Sequence, residues 1–133
     1  MSDDVHAGGC LCGAVRFEMR GAPQNVRICH CRLCQKATAA PFYARVLCET
    51  RQVTFSGEIG RHPSSELMSR LFCRRCGARI GTYRPASANT SLALSLFDDQ
   101  AAFKPDCHFF VASKAPWLML ADDLPQYDEW PPD

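Results

Sequence analysis

Apolar and polar positions alternate along this chain in short runs. Val15, Phe17 and Met19 interleave with Arg16, Glu18 and Arg20, a period of two that predicts a half-buried strand ended at Gly21-Ala22-Pro23. Val26-Arg27-Ile28 predicts a second short strand that delivers Cys29. Over residues 31–40 the good helix formers Leu33, Gln35, Lys36, Ala37 and Ala39 predict one helical turn, stopped by Pro41. Alternation resumes over residues 42–48, with Phe42, Ala44, Val46 and Cys48 against Tyr43, Arg45 and Leu47. Gln52-Val53-Thr54-Phe55 predicts another strand, closed by Ser56-Gly57 and Gly60, and residues 66–72 and 78–83 form a hairpin pair. Residues 85–91 read as a loop; Leu92, Leu94 and Leu96 then alternate with Ala93 and Ser95, and residues 107–111 are a last strand. From Ser113 on, Pro116, Trp117, Pro125, Trp130, Pro131 and Pro132 predict an irregular tail that packs its aromatics on the sheet. About eight short strands with one helical turn predict an all-β domain.

At 133 residues the chain fits one domain, residues 1–133. A hydrophobic content of 47% with 22% charged excludes disorder, and a net charge of +1 gives no electrostatic basis for a nucleic-acid partner. The start, Met1-Ser2-Asp3-Asp4-Val5-His6, is acidic and polar with no apolar run after it. Neither a secretory signal nor a membrane span is expected, which places the protein in the reducing cytoplasm. There, nine cysteines point to metal ligands rather than disulfides.

Seven of the nine fall into three groups: Cys10-Leu11-Cys12, Cys29-His30-Cys31-Arg32-Leu33-Cys34 and Cys73-Arg74-Arg75-Cys76. Residues two apart in an extended segment point the same way, so Cys10 and Cys12, and likewise Cys29 and Cys31, can each face one metal. A helical turn brings Cys34 back beside Cys31, at a helix start whose dipole favours thiolate. Gly77, after Cys76, suits a tight turn with positive φ.

A structural zinc takes four protein ligands, whereas a catalytic zinc keeps three and an open position. The simplest division therefore gives Cys10, Cys12, Cys73 and Cys76 to a closed site, and Cys29, Cys31 and Cys34 to an open one, two zinc ions in all. The alternative closes the triplet with a fourth side chain from His30, Cys48, Cys107, His62 or His108. Cys48 and Cys107, outside the groups, read as buried small hydrophobes. His30 points away from its flanking cysteines, either to handle a proton or to face solvent; His108, in an apolar strand, reads as a hydrogen-bonded core histidine. Arg70, Arg74, Arg75, Arg79 and Arg84 bunch around the third group, as a solvated face or to capture a substrate carboxylate.

Gly9-Cys10-Leu11-Cys12-Gly13-Ala14-Val15-Arg16-Phe17, then Cys29-His30-Cys31-x-x-Cys34, then Phe72-Cys73-x-x-Cys76-Gly77, resemble the glutathione-dependent formaldehyde-activating enzyme family, also called centromere protein V-like. Ser113-Lys114-Ala115-Pro116-Trp117 and Asp123-Leu124-Pro125-Gln126-Tyr127 resemble its C-terminal signature, so the likeness covers roughly residues 8–130. The resemblance implies a Mss4-like β-tent, a structural zinc on Cys10, Cys12, Cys73 and Cys76, and a catalytic zinc on Cys29, Cys31 and Cys34. It further implies a carbon–sulfur lyase that interconverts S-hydroxymethylglutathione with formaldehyde and glutathione. Where many relatives carry glycine after the triplet, this chain has Thr38-Ala39-Ala40. With the resemblance, the expected function is a zinc-dependent lyase that binds a small thiol such as glutathione, with Cys29, Cys31, Cys34 and His30 as catalytic residues. A non-enzymatic zinc module for a protein or nucleic-acid partner, and a redox or zinc-buffering protein, are the other classes these cysteines allow.

Overall fold

The computed structural model describes residues 4–132; Met1, Ser2 and Asp3 of the acidic start lie outside them. Strands β1 (Val5–Gly9), β2 (Arg16–Arg20) and β5 (Val53–Ser56) form a three-stranded antiparallel sheet in the order β1-β2-β5. A second sheet takes β3 (Asn25–Cys29), β4 (Tyr43–Glu49), β6 (Ile59–Ser65), β7 (Met68–Cys73), β8 (Arg79–Arg84), β9 (Asn89–Ala93) and β10 (His108–Phe109). Its order is β10-β3-β4-β9-β8-β7-β6, antiparallel throughout except that β10 runs parallel to β3. One α-helix, α1 (Arg32–Thr38), follows β3. The protein is all-β, as its alternation predicts.

The departures from that expectation have local causes. β1 and β6 are additional strands whose side chains carry no clean period of two. β1, Val-His-Ala-Gly-Gly, is fixed by its partner: a Cβ on Gly8 would stand 2.5 Å from the Phe17 ring and 2.4 Å from the Leu96 carbonyl oxygen. β6 holds Gly60 and Pro63, and it tolerates the proline because it is an edge strand with one side unpaired. Leu94, Leu96 and their neighbours form a 3-10 turn instead of extending β9. That turn carries the chain across to the small sheet, where Phe97 packs edge-on against Phe17 at 5.1 Å. The last strand stops at Phe109 because Phe110 turns into the left-handed region at φ 54°. In the tail Trp130 stacks on Phe109 at 5.5 Å while staying 63% exposed, and Trp117 is 71% exposed, so the aromatics of the tail pack on the sheet less than expected.

The large sheet uses its two faces differently. One face meets the small sheet over a core of Phe17 and Met19 from β2, Val46 and Cys48 from β4, and Ile80 and Leu92. Each such side chain contributes roughly 1.5–3 kcal/mol on burial. Cys48 and Cys107 are buried, as free cysteines usually are. On the other face, register places Arg70, Thr82, Ser91 and Leu47 side by side across β7, β8, β9 and β4, and Phe109, Cys29 and Tyr43 side by side across β10, β3 and β4. Both alternate sets in β4 are therefore covered, Val46 and Cys48 by the core and Tyr43, Arg45 and Leu47 by a cavity.

Helix α1 begins on Cys31, whose sulfur accepts from the Cys34 N–H at 3.3 Å. It ends on Ala39 in the left-handed region, φ 55° and ψ 34°, the conformation that glycine adopts without a Cβ clash. Ala39→Gly is expected to raise unfolding stability by about 0.5–1 kcal/mol, read as a shift of the urea midpoint at constant slope. A loss of stability would show that the left-handed turn carries no strain.

Candidate metal centres

The first centre is assembled at the two turns that leave β1 and β7. Sulfurs of Cys10, Cys12, Cys73 and Cys76 all lie within 4.8 Å of one another, although Cys12 and Cys73 are 61 residues apart. Gly13 and Gly77, at φ 81° and 80°, close the two turns as the Gly77 reading anticipates, and Gly77 N–H donates to the Cys73 carbonyl at 2.9 Å. Backbone N–H groups then point at sulfur: Val15 to Cys10 at 3.2 Å, Ala14 to Cys12 at 3.4 Å, and both Arg75 and Cys76 to Cys73 at 3.4 Å. Such donors favour thiolates.

Within this quartet, burial opposes ionisation of Cys10, but the Val15 N–H and the neighbouring thiols outweigh it and bring the group down to about 6. For Cys12 the Ala14 N–H favours the thiolate, yet burial and the other sulfurs prevail and hold the thiol up at about 11. Four sulfurs this close cannot all ionise against one another; a divalent cation among them removes the conflict. Four thiolates at two glycine-closed turns fit a tetrahedral zinc.

The second centre stands where β3 meets α1. Cys29, Cys31 and Cys34 also place their sulfurs within 4.8 Å of one another, and among the described residues no fourth cysteine, histidine or carboxylate joins them. His30, Cys48, Cys107, His62 and His108, the candidates for a fourth ligand, lie outside this group. Hydrogen bonds from the Cys29 and Cys34 thiols hold Cys31 far below the ordinary thiol value, while the same bond to Cys31, then Cys34 and burial, drives Cys29 far above it. The trio shares the quartet's conflict and the same remedy, with three ligands in place of four. Arg70 brings its Nη1 to 3.8 Å from the Cys34 sulfur.

A cavity of about 350 Å³ opens on these three sulfurs. Beside them Tyr43 shares a hydrogen bond with Ser91 at 2.8 Å, and Ser91 another with Thr82 at 2.6 Å. Burial pushes the Tyr43 hydroxyl well above its ordinary value, so it stays protonated. Arg70 and Arg84 of the predicted arginine group reach the cavity; Arg74, Arg75 and Arg79 are exposed.

His30 does not line the cavity. Its side chain is fully buried, which excludes the solvent-facing alternative, and lies behind the sulfurs as the alternation of an extended segment requires. Nε2 of His30 meets Nδ1 of His108 at 2.8 Å, and Nε2 of His108 meets the Asp122 carboxylate at 2.8 Å. The carboxylate accepts from His108, which leaves His108 Nδ1 to accept from His30; Nδ1 of His30 is buried with no hydrogen-bond partner. Burial, then the neighbouring His108, lowers His30 to about 4, so it is neutral at pH 7. His108 is the hydrogen-bonded core histidine expected of it. Gln35 completes the support, its amide donating to the carbonyls of His30 at 2.8 Å and Ser113 at 3.0 Å.

Several cavity residues escaped the sequence reading: Tyr43, Arg45, Ser91, Thr82, Phe109 and Trp130. Arg45 alone left a signal, a cation inside an otherwise apolar strand. Asp122 escaped too, because its partner lies 14 residues away.

The family model described as glutathione-dependent formaldehyde-activating enzyme matches residues 5–113. An uncharacterized lyase of Schizosaccharomyces pombe is 28% identical over 116 residues, which cover 79% of this chain and 85% of that protein. A crystal structure of a Rhodobacter sphaeroides protein superposes with a TM-score of 0.59 at 18% identity, over 74% of this chain and 91% of that one, and shares the fold.

The two cysteines outside the centres yield a test of burial. Cys48 is fully buried and pushed up to about 12, chiefly by desolvation. At pH 8 roughly one molecule in ten thousand then carries its thiolate. Iodoacetamide at pH 8 is expected to leave Cys48 unmodified in the folded protein and to label it in urea, read by peptide mass spectrometry. Rapid labelling without denaturant would contradict the packing described.

Proposed function

The chain belongs to the glutathione-dependent formaldehyde-activating enzyme family, and from that premise we propose that it is a zinc-dependent carbon–sulfur lyase acting on a small thiol–aldehyde adduct such as S-hydroxymethylglutathione. In this reading Cys10, Cys12, Cys73 and Cys76 hold a structural zinc, and Cys29, Cys31 and Cys34 hold a catalytic one. The observation that carries it is the cavity that begins at three clustered sulfurs with no fourth protein ligand among the described residues. Supporting it is the lyase name of the Schizosaccharomyces pombe relative. Two sheets stapled by sulfur suit a Mss4-like β-tent, and the free cysteines suit a reducing, cytoplasmic setting. No helix among the described residues is long and apolar enough to cross a membrane.

When bound by three thiolates, zinc supplies a fourth position at which a thiol loses its proton near neutral pH. The remaining work belongs to the chain. The adduct's sulfur is seated beside Cys29, Cys31 and Cys34, with the Arg70 guanidinium favouring negative charge there. The carbon–sulfur bond breaks with its electron pair passing to sulfur, the hydroxyl proton leaves to water, and the carbonyl of formaldehyde forms. The hydroxyls of Tyr43, Ser91 and Thr82 sit on the same wall and orient the departing oxygen. His30 acts from behind: bonded to His108 and through it to Asp122, it sets the course of the Cys29-His30-Cys31 segment. It is a positioning residue, and the proton falls to solvent.

Two measurements test this reading. Zinc analysis is expected to find two ions per chain in the wild type and one in Cys31→Ser, with the fold retained by circular dichroism. NMR exchange between the methylene protons of S-hydroxymethylglutathione and free formaldehyde hydrate is expected to quicken at least about tenfold with wild-type protein and to return to the uncatalysed rate with Cys31→Ser. An unchanged rate in the presence of two-zinc protein would remove the lyase assignment.

A further inference from the structure

Among the described residues no aspartate, glutamate or histidine lines the cavity at the Cys29, Cys31 and Cys34 sulfurs. Breaking the carbon–sulfur bond of a hydroxymethyl adduct nevertheless releases a proton from its hydroxyl. An adduct seated in the cavity also displaces the water that would take that proton. Apart from the sulfurs, three side chains in the lining can give and take a proton at one atom: the hydroxyls of Tyr43, Ser91 and Thr82.

These three hydroxyls are joined. Tyr43 Oη is 2.8 Å from Ser91 Oγ, and Ser91 Oγ is 2.6 Å from Thr82 Oγ1. Tyr43 is 5% exposed and Ser91 1%, whereas Thr82 is half-buried. Tyr43 lies opposite Cys29 across β3 and β4, and Thr82 lies opposite Arg70, whose Nη1 approaches the Cys34 sulfur, across β7 and β8. Tyr43, Arg70 and Thr82 also line a second, smaller crevice of about 10 Å³, which Thr38, Gly81 and the exposed Arg79 complete. That is room for one water molecule. A Cβ on Gly81 would stand 1.7 Å from the Ser91 carbonyl oxygen, so glycine is what lets β8 and β9 close until the Thr82 and Ser91 hydroxyls meet. The chain of hydroxyls therefore has one end at the cavity and the other at a separate opening.

We propose that Tyr43, Ser91 and Thr82 form a proton relay that carries the adduct's hydroxyl proton out of the cavity to water in the crevice, with Tyr43 as the catalytic residue that touches the departing oxygen. This rests on the lyase reading above and deepens it. As the carbon–sulfur electron pair passes to sulfur and the oxygen–hydrogen pair becomes the second carbonyl bond, the adduct's proton moves to Tyr43 Oη. Tyr43 gives its own hydrogen to Ser91, Ser91 gives its hydrogen to Thr82, and Thr82 gives its hydrogen to the water. Each hydroxyl ends with as many hydrogens as it began, so no phenolate or alkoxide forms. Thiol addition to formaldehyde runs the same transfers in reverse. Buried hydroxyls that only held the sheet together would need no second opening.

Tyr43→Phe and Thr82→Val test the two ends of the relay, and each leaves Ser91 with one hydroxyl partner, so that no buried hydroxyl is orphaned. With zinc content unchanged, Tyr43→Phe is expected to lower the catalysed exchange of S-hydroxymethylglutathione with formaldehyde by about a hundredfold, or to the uncatalysed rate if that is reached first. Thr82→Val keeps the Tyr43 contact to substrate and is expected to lose at least about tenfold, while Thr82→Ser, which restores the hydroxyl, retains the wild-type rate. A second readout needs no turnover. In protein saturated with glutathione, exchange of the Tyr43 hydroxyl hydrogen with water, read by NMR from the deuterium shift of its ζ-carbon, is expected to slow at least about tenfold in Thr82→Val and not in Thr82→Ser. Full catalysis by Tyr43→Phe, or Thr82→Val as fast as Thr82→Ser in either measurement, overturns the relay and leaves the lyase reading standing. A two-zinc wild type that does not catalyse the exchange overturns the lyase reading and the relay together.

Discussion

Everything in this structure depends on bringing mutually repelling sulfur donors together at the ends of strands. Cys10 and Cys12 leave β1 of the small sheet, and Cys73 and Cys76 leave β7 of the large one. Their cluster fastens one sheet to the other at the edge of the core that Phe17, Met19, Val46 and Leu92 fill. Closing a loop of this length by contacts alone carries an entropy penalty, which a cation held by the four sulfurs would offset with binding energy on the order of 10 kcal/mol. The N–H groups of Val15, Ala14, Arg75 and Cys76 point at these sulfurs because the glycine-closed turns aim them there.

With the sheets fastened, the large sheet has one face committed to the core and the other free to become a site. The same period of two serves both ends. In β4, Val46 and Cys48 turn inward while Tyr43 and Arg45 turn to the cavity, and β9 repeats the division with Leu92 and Ser91. In β8, a register irregularity opposite Leu71 and Phe72 lets Ile80 reach the core while Thr82 and Arg84 reach the cavity. The cavity is therefore walled by rigid strands, and its polar groups are held to the precision of a hydrogen-bonded ladder.

The second sulfur group is supported from behind as closely as from the front. His30, His108 and Asp122 form a hydrogen-bonded line from beneath the sulfurs toward the surface, and Gln35 ties the same backbone to Ser113. The irregular tail is thus part of the site. It supplies Asp122 to the buried histidines and Trp130 to the cavity rim, although it forms no extended strand of its own.

The chain's own order of residues was enough to establish an all-β architecture, the three cysteine groups, the helix start at Cys31 and the left-handed turn at Gly77. Each is written in local spacing, and backbone geometry acts over two to four residues. β1 and β6 were not legible, because Gly8, Gly9, Gly60 and Pro63 erase the alternation while pairing with β2 and β7 still holds them extended. The clustering of Cys29, Cys31 and Cys34 with no fourth donor among the described residues, the burial of His30 against His108, and the separation of Arg70 and Arg84 from the exposed Arg74 and Arg75 were decided by the tertiary structure alone. Each turns on which strands lie side by side, and cross-strand register is a long-range packing outcome that no spacing along the chain encodes.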